Sequence, residues 1–164
     1  MQEILIVVDM QNDFIDGALG TAEAVSIVEN VRKKILDFDG HVIFTRDTHG
    51  EDYLKTTEGK HLPVPHCIKG TKGWQIADGL YVEGCKIIDK PNFGWPHWGS
   101  EALEEVEIVG LCTDICVISN ALIIKATFPD ASVKVDANCC AGVTVESHEA
   151  ALKTMAMCQV QIIR

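Results

Sequence analysis

The chain has 164 residues, 47% of them hydrophobic, which is enough to bury one core, and we expect a single domain over residues 1–164. Its formal charge of -10 argues against nucleic acid or an anionic membrane as the partner, so we expect a small-molecule substrate. No apolar run is long enough to span a membrane, and seven irregularly spaced cysteines suggest reduced thiols, so a cytoplasmic protein is expected.

Six short, mostly apolar runs predict the strands of one sheet. Because most of these runs are continuously apolar rather than alternating, the strands are expected to be parallel and covered on both faces. The predicted strands are Ile4 to Asp9, His41 to Asp47, Lys86 to Lys90, Val106 to Leu111, Ser132 to Ala137 and Val160 to Ile163.

Three helical patterns alternate with these strands. The first has Thr21 as a candidate N-cap, the second runs from Asp114 to Phe128, and the third has Thr144 as a candidate N-cap. The apolar stripes are predicted to be Val25, Val28, Val31 and Ile35 in the first helix, and Ala150, Ala151, Met155 and Cys158 in the third. This alternation predicts an α/β fold, a three-layer doubly wound sandwich.

The segment from His49 to Gly84 has little periodicity and is punctuated by proline and glycine. We expect a long ordered loop with one short helix near Asp52. A loop of this length inside a compact domain usually carries function.

Reactive or polar side chains close four of the predicted strands. Asp9, Asp47 and Lys90 end the first three strands, and the loop with Cys112 and Cys116 follows the fourth. Ligands of open parallel sheets bind beyond the carboxyl ends of the strands, so these side chains are predicted to converge on one edge.

Cys116 has several interpretations from its local sequence. With Thr113 or Asp114 as N-cap, it lies in the first turn of a helix, where free N–H groups lower a thiol pKa and can hold an oxyanion. The alternatives are a small buried core residue, or a metal or disulfide pair with Cys112.

Lys90 closes a buried strand, so its ammonium needs an anion nearby. Asp9 and a thiolate at Cys116 are the candidates, and Asp9 is better suited to accept a proton than to act as a nucleophile. A purely structural ion pair between Lys90 and Asp9 is the alternative.

Asp47, His49 and His66 form a second cluster. One carboxylate and two imidazoles can bind Zn, Mn or Fe and leave positions open for water. The alternatives are that Asp47 caps a turn and that His66 is a hydrogen-bonded core histidine.

Five stretches, in order along nearly the whole chain, resemble the isochorismatase-like cysteine hydrolases, which include nicotinamidases. These stretches are VVDMQNDFIDGALG, FTRDTH, PHCIKGTKGW, DKPNFG and GLCTDICVISNA. The resemblance implies a six-stranded parallel sheet of order 3-2-1-4-5-6. It also implies a catalytic triad of Asp9, Lys90 and Cys116, with Cys112 after a cis peptide bond and the N–H groups of Cys112 and Cys116 as the oxyanion hole.

The resemblance also implies a function. We expect hydrolysis of a small-molecule amide or related C–N bond through a thioester, with Phe14, Phe93 and Trp95 shaping the pocket. One divalent metal (Zn, Mn or Fe) on Asp47, His49 and His66 is expected and no organic cofactor, although the further histidine of nicotinamidases has no counterpart in GEDYLKTTEGK.

Two other functions remain open at this point. One is an isochorismatase-type hydrolysis of a vinyl ether, which needs no cysteine nucleophile. The other is a non-enzymatic thiol-redox or ligand-binding protein that uses Cys112 and Cys116. The sequence also leaves open a homo-oligomer.

Overall fold

A computed structural model describes residues 3–164, and its centre is one six-stranded parallel sheet. The strands are β1 (Glu3–Val8), β2 (His41–Asp47), β3 (Lys86–Lys90), β4 (Glu105–Leu111), β5 (Ser132–Ala141) and β6 (Gln161–Ile163). They pair in the order β3-β2-β1-β4-β5-β6, and every pair is parallel. The predicted fold class and strand order are both confirmed.

The helices lie between the strands in the chain. They are α1 (Asn12–Ile15), α2 (Ala22–Asp37), α3 (Thr57–His61), α4 (Ile118–Thr127) and α5 (Val145–Met157). Thr21 and Thr144 cap α2 and α5 as predicted, because each hydroxyl accepts a hydrogen bond from a backbone N–H of the first turn, at 3.0 Å. None of the helices within residues 3–164 is both long and apolar enough to span a membrane.

Two hydrophobic cores cover the two faces of the sheet. Leu5 and Val7 of β1 point to the face that α2 covers, and Ile4, Ile6 and Val8 point to the face that α4 and α5 cover. Alternate residues of one strand therefore enter opposite cores, which gives the three predicted layers.

The buried faces of α2 and α5 differ from the predicted stripes. In α2 the buried side chains are Ala24, Ile27, Val31 and Ile35, whereas Val25 is 51% exposed. In α5 the buried side chains are Ala151, Leu152 and Met155, whereas Ala150 and Cys158 are exposed. Val31 and Ile35 of the first predicted stripe and Ala151 and Met155 of the other are confirmed. The exposed members are wrong, because several neighbouring residues are apolar and only packing chooses among them.

The segment between β2 and β3 is ordered and has two short helices instead of the one predicted. A 3₁₀ turn (Tyr53–Lys55) precedes α3. The segment is fixed to the sheet by the guanidinium of Arg46, which lies 3.7 Å from the ring centroid of Trp74, and by the Trp74 indole, which donates to Thr48 at 2.9 Å.

The central strands approach each other closely near the edge that carries the reactive residues. Gly110 of β4 has φ +120, and a Cβ there would lie 2.1 Å from the carbonyl oxygen of Val8 in β1. Only glycine allows this backbone conformation together with this contact. The next residue after Val8 is Asp9, and Cys112 follows two residues after Gly110, so the two strands deliver these residues side by side.

Candidate active site

Asp9 and Lys90 form a fully buried ion pair. The Asp9 carboxylate accepts from the Lys90 ammonium at 2.5 Å and from the Thr45 hydroxyl at 2.6 Å. Burial raises the pKa of Asp9 above its usual value, although the neighbouring charge of Lys90 opposes the shift. Burial is the largest single influence on Lys90 and opposes its charge, but Asp9, Cys116 and Asp47 together outweigh burial and raise the Lys90 pKa.

Cys116 lies in a short π-helical turn (Thr113–Val117) between β4 and α4. The turn begins directly after the Leu111–Cys112 peptide, which is cis, as the family resemblance implied. The predicted N-cap, Thr113 or Asp114, is wrong, because the N-cap in the structure is Cys112. Asp114 is used elsewhere, because its carboxylate accepts from the N–H of Val143 in the loop before α5.

The expected lowering of the Cys116 pKa is wrong. Burial raises this pKa well above the usual value for a thiol, the negative charge of Asp9 raises it further, and Lys90 lowers it only in part. Cys116 is therefore a neutral thiol at neutral pH. The carboxylate of Asp9 is close enough to raise its pKa and is the candidate acceptor for its proton, which nucleophilic activation requires.

A cavity of about 440 Å³ opens onto Cys116. Its walls are mostly apolar and include Phe14 and Phe93, whereas Trp95 is not part of them. Trp95 packs instead against the core beneath α4. The full lining is Phe14, Leu19, Asp47, Thr57, Glu58, His61, Leu62, His66, Asn92, Phe93, Cys112, Ile115 and Cys116.

Four side chains that can bind a metal meet at one wall of this cavity. Asp47, His49, Glu58 and His66 each offer an oxygen or nitrogen atom, and these atoms all lie within 4.8 Å of one another. His49 Nε2 lies 2.8 Å from Asp47 Oδ2, and His66 Nε2 lies 3.4 Å from the same oxygen. Glu58 Oε1 lies 3.7 Å from both histidine nitrogens.

The hydrogen bonds around the cluster fit a bound divalent cation. His66 Nδ1 lies 2.8 Å from the carbonyl of Val64, which can only accept, so Nδ1 carries a proton. In the neutral ring Nε2 then carries a lone pair that faces the carboxylate of Asp47. Two electron-rich atoms repel each other, so this arrangement needs a proton or a metal ion between them. Asp47 Oδ1 is also buried without a hydrogen-bond partner among the described residues.

Glu58 was missed in the sequence. It lies on α3, in the place along the chain where the extra histidine of nicotinamidases was sought. The available signal was an acidic residue between the D-x-H of Asp47 and His49 and the later His66, because a carboxylate is as good a ligand for a divalent metal as an imidazole.

Gln11 fixes the backbone of Asp47. Its fully buried amide accepts from the Asp47 N–H and donates to the Asp47 carbonyl, both at 2.8 Å, and it also donates to the carbonyl of Trp74 at 2.8 Å. The strand-end carboxylate is thus held in place from the loop that follows β1.

Comparison with known proteins finds nicotinamidases among the relatives of this chain. The chain is 26% identical over 183 residues to a nicotinamidase/pyrazinamidase of Mycobacterium tuberculosis, with 97% of each protein covered. It is 24% identical over 204 residues to a nicotinamidase of Schizosaccharomyces pombe, with 97% of this chain and 91% of the relative covered.

A solved structure has the same architecture. The pyrazinamidase of Pyrococcus horikoshii in complex with zinc superposes with a TM-score of 0.87 at 28% identity, covering 100% of this chain and 99% of the other. The sequence profile of the isochorismatase domain matches residues 3–164, which is all of the described chain. With fold, strand order and sequence profile in agreement, the chain belongs to the isochorismatase family.

Proposed function

We propose that the protein hydrolyses the carboxamide of a small molecule through a thioester on Cys116. Its family and its nicotinamidase relatives make it a hydrolase that acts on C–N bonds. The observation that carries the proposal is the burial of a thiol, a carboxylate and an ammonium, those of Cys116, Asp9 and Lys90, together beside one cavity.

The first half of the reaction forms the thioester. Asp9 takes the thiol proton as the sulfur of Cys116 bonds to the amide carbon. The carbonyl oxygen becomes an oxyanion, for which the N–H groups of Cys112 and Cys116 are the proposed donors. The C–N bond then breaks, and ammonia or an amine leaves with the proton from Asp9.

The second half of the reaction releases the acid. Water attacks the thioester and gives a proton to Asp9, the S–C bond breaks, and the thiol is restored. The raised pKa of Asp9 suits both halves, because within each half the carboxyl group takes up a proton and then gives it to the leaving group. Lys90 limits the repulsion between the carboxylate and the developing thiolate.

The four clustered side chains at the cavity wall are the proposed site of one divalent ion. Asp47, His49, Glu58 and His66 would hold Zn, Mn or Fe, since two imidazoles and two carboxylates suit all three ions. When bound, such an ion supplies a Lewis acid on the cavity wall. Phe14 and Phe93 would pack on the substrate's ring or chain, so a small aromatic carboxamide is the proposed substrate class.

The alternative functions have less support. Vinyl-ether hydrolysis makes no use of a cysteine, whereas Cys116 lines the cavity and Asp9 is close enough to raise its pKa. A thiol-redox role would use Cys112 and Cys116, both of which are free thiols. We further propose a cytoplasmic location and one domain over residues 1–164.

Ammonia release from a panel of small aromatic and aliphatic carboxamides, with and without added divalent metal, tests the function. Cys116→Ala should lower the turnover number on the order of 10⁴-fold or more, because the covalent nucleophile is lost. Cys112→Ala should have a milder effect, because only its backbone N–H is proposed to act.

Rapid quenching followed by intact-mass measurement adds a direct readout. A substrate that turns over should leave an acyl adduct on the peptide that contains Cys116. Near-normal turnover by Cys116→Ala would contradict the thioester mechanism, and reversible disulfide formation without any amide turnover would favour the redox alternative.

A further inference from the structure

Asn120 of α4 has no part in the proposed chemistry, yet its buried amide group makes four hydrogen bonds. Its side-chain oxygen accepts from the backbone N–H of Trp95 at 2.9 Å and from the indole N–H of Trp98 at 3.0 Å. Its side-chain nitrogen donates to the carbonyl of Cys116 at 2.8 Å and to that of Phe93 at 3.2 Å. Asn120 is fully buried, so both ends of its amide are satisfied by protein alone.

These bonds join two parts of the active site that are distant in sequence. Phe93 lies in the loop that follows Lys90, and its ring forms a wall of the cavity. Cys116 lies in the turn before α4. The same loop is held from its other side, because the Lys90 ammonium donates to the carbonyl of Asn92 at 3.3 Å.

The loop packs closely on α4 at Gly94, which lies between Phe93 and Trp95. A Cβ at Gly94 would lie 2.3 Å from Cδ1 of Ile123 and 3.5 Å from the Cβ of Ser119, both in α4. The bonds to Phe93 and Trp95 therefore hold the chain on each side of its closest contact with the helix. A small displacement of this loop would move Phe93 relative to the sulfur of Cys116.

We propose that Asn120 is a positioning residue that sets the separation between the Phe93 wall and Cys116, and hence which acyl groups the cavity accepts. The inference rests on the proposed function, in which Cys116 is the nucleophile. An asparagine is needed because two acceptors, the carbonyls of Cys116 and Phe93, and two donors, from Trp95 and Trp98, face one side chain.

Alkylation of Cys116 provides a test that needs no turnover. Two probes are compared, iodoacetamide and its N-phenyl derivative, and the modified peptide is identified by mass spectrometry because the chain has seven thiols. Iodoacetamide reports the reactivity of the thiol. The ratio of the N-phenyl rate to the iodoacetamide rate reports how well the cavity holds an aromatic group.

Asn120→Asp should lower this ratio roughly tenfold to 100-fold, because the two donated bonds become repulsions between oxygens and the loop moves. Asn120→Ser, which loses the bonds without adding charge, should lower it in the same direction and replaces Asn120→Asp if that variant does not fold. In a Phe93→Ala background, Asn120→Ser should cause no further fall, because the wall that it positions is absent.

Trp98→Phe is the matched control. It removes one buried hydrogen bond to Asn120 but leaves the bonds to Phe93 and Cys116, so the protein should unfold more easily while the ratio stays within about twofold of wild type. An unchanged ratio in folded Asn120→Asp or Asn120→Ser would overturn the inference and leave Asn120 with a structural role alone. Absence of amide turnover in the wild type would refute the proposed function but not this measurement.

Discussion

Asp9 combines a strained backbone with a buried carboxyl group whose pKa is raised. Its φ of 48 lies in the left-handed region, which aspartate tolerates better than most residues. Its carboxyl is fully buried with a raised pKa, it accepts hydrogen bonds from Thr45 and Lys90, and its charge raises the pKa of Cys116. One group can therefore accept the thiol proton and return it to the leaving amine.

Lys90→Met should move the alkylation of Cys116 to higher pH. Alkylation requires the thiolate, whose formation burial and Asp9 oppose and Lys90 favours. With the ammonium removed, the pKa of Cys116 rises further, so the rate measured with iodoacetamide should reach its midpoint at least about one pH unit higher.

Lys86→Met is the control for this measurement, because Lys86 begins the same strand but its side chain is 52% exposed and pairs with Glu101 at the surface. It should leave the alkylation profile unchanged. A folded Lys90→Met protein with the wild-type profile would contradict an electrostatic role and support a purely structural ion pair.

At the residue scale, the sequence predicted which residues would lie together better than it predicted their protonation states. Asp9, Lys90 and Cys116 were recognisable because each closes or follows a buried strand in a familiar motif. The thiol pKa was wrong, because the proximity of a helix start is visible in the sequence whereas burial beside a carboxylate is not. Trp95 was wrong as a pocket residue for a similar reason, since the core that it packs against is formed by distant parts of the chain.

At the scale of elements, the short helix α3 contributes three of its five residues to the site. It places Glu58 beside Asp47, His49 and His66, and it places Thr57 and His61 at the cavity. The Thr56 hydroxyl caps the helix by accepting from the N–H of Gly59 at 3.0 Å. Burial raises the pKa of Glu58, and the charge of Asp47 raises it further, as expected where two carboxylates lie close together.

Glu58→Gln should weaken metal binding by at least the roughly 10–100-fold that is typical for loss of a supporting residue, because a charged ligand becomes a neutral one. The measurement is competition for Zn²⁺ and Mn²⁺ with a chromogenic chelator. Glu51→Gln, an exposed residue of the same segment, is the control and should bind as the wild type does. Equal affinities for the two variants would remove Glu58 from the site.

The strands could be predicted almost to the residue, because runs of Ile and Val have few other uses in a soluble domain. β5 was predicted to end at Ala137 but continues to Ala141. Its last residues, NCCA, are not β-branched, and only pairing with β4 extends the strand. The short elements of the segment between β2 and β3 were the least predictable, because tertiary contacts rather than periodicity fix them.

Across the whole molecule, most of the cysteines are buried and reduced. Burial raises the thiol pKa of Cys67, Cys112, Cys116, Cys139 and Cys140. Each of these groups keeps its proton in the folded state at a pH where the unfolded chain has begun to lose it. Folding is then opposed as the pH rises through the ordinary thiol range.

The free energy of unfolding should therefore fall steeply above about pH 8.5, where unfolded thiols ionise. The unfolded state binds fewer protons than the folded state there, so each buried thiol contributes a slope of up to about -1.4 kcal/mol per pH unit. Urea titrations between pH 7 and pH 10 in the presence of a phosphine reductant measure this slope.

Cys140→Ala should make the slope shallower by about one proton, whereas Cys158→Ala, at an exposed position, should leave it nearly unchanged. A free energy of unfolding that does not depend on pH over this range would mean that the buried thiols ionise in the folded protein as easily as in the unfolded chain.

The contact of Gly110 with Val8 restricts how this active site can change by descent. Any side chain at position 110 would force β4 away from β1, and Asp9 and the turn of Cys116 lie just beyond that contact. During evolution, residues that line the cavity, such as Phe14 or Phe93, can be substituted one at a time, and the substrate specificity can change. No single substitution can replace the glycine where the two strands lie closest. New specificities in this scaffold should therefore arise from the loops, while this part of the sheet stays fixed.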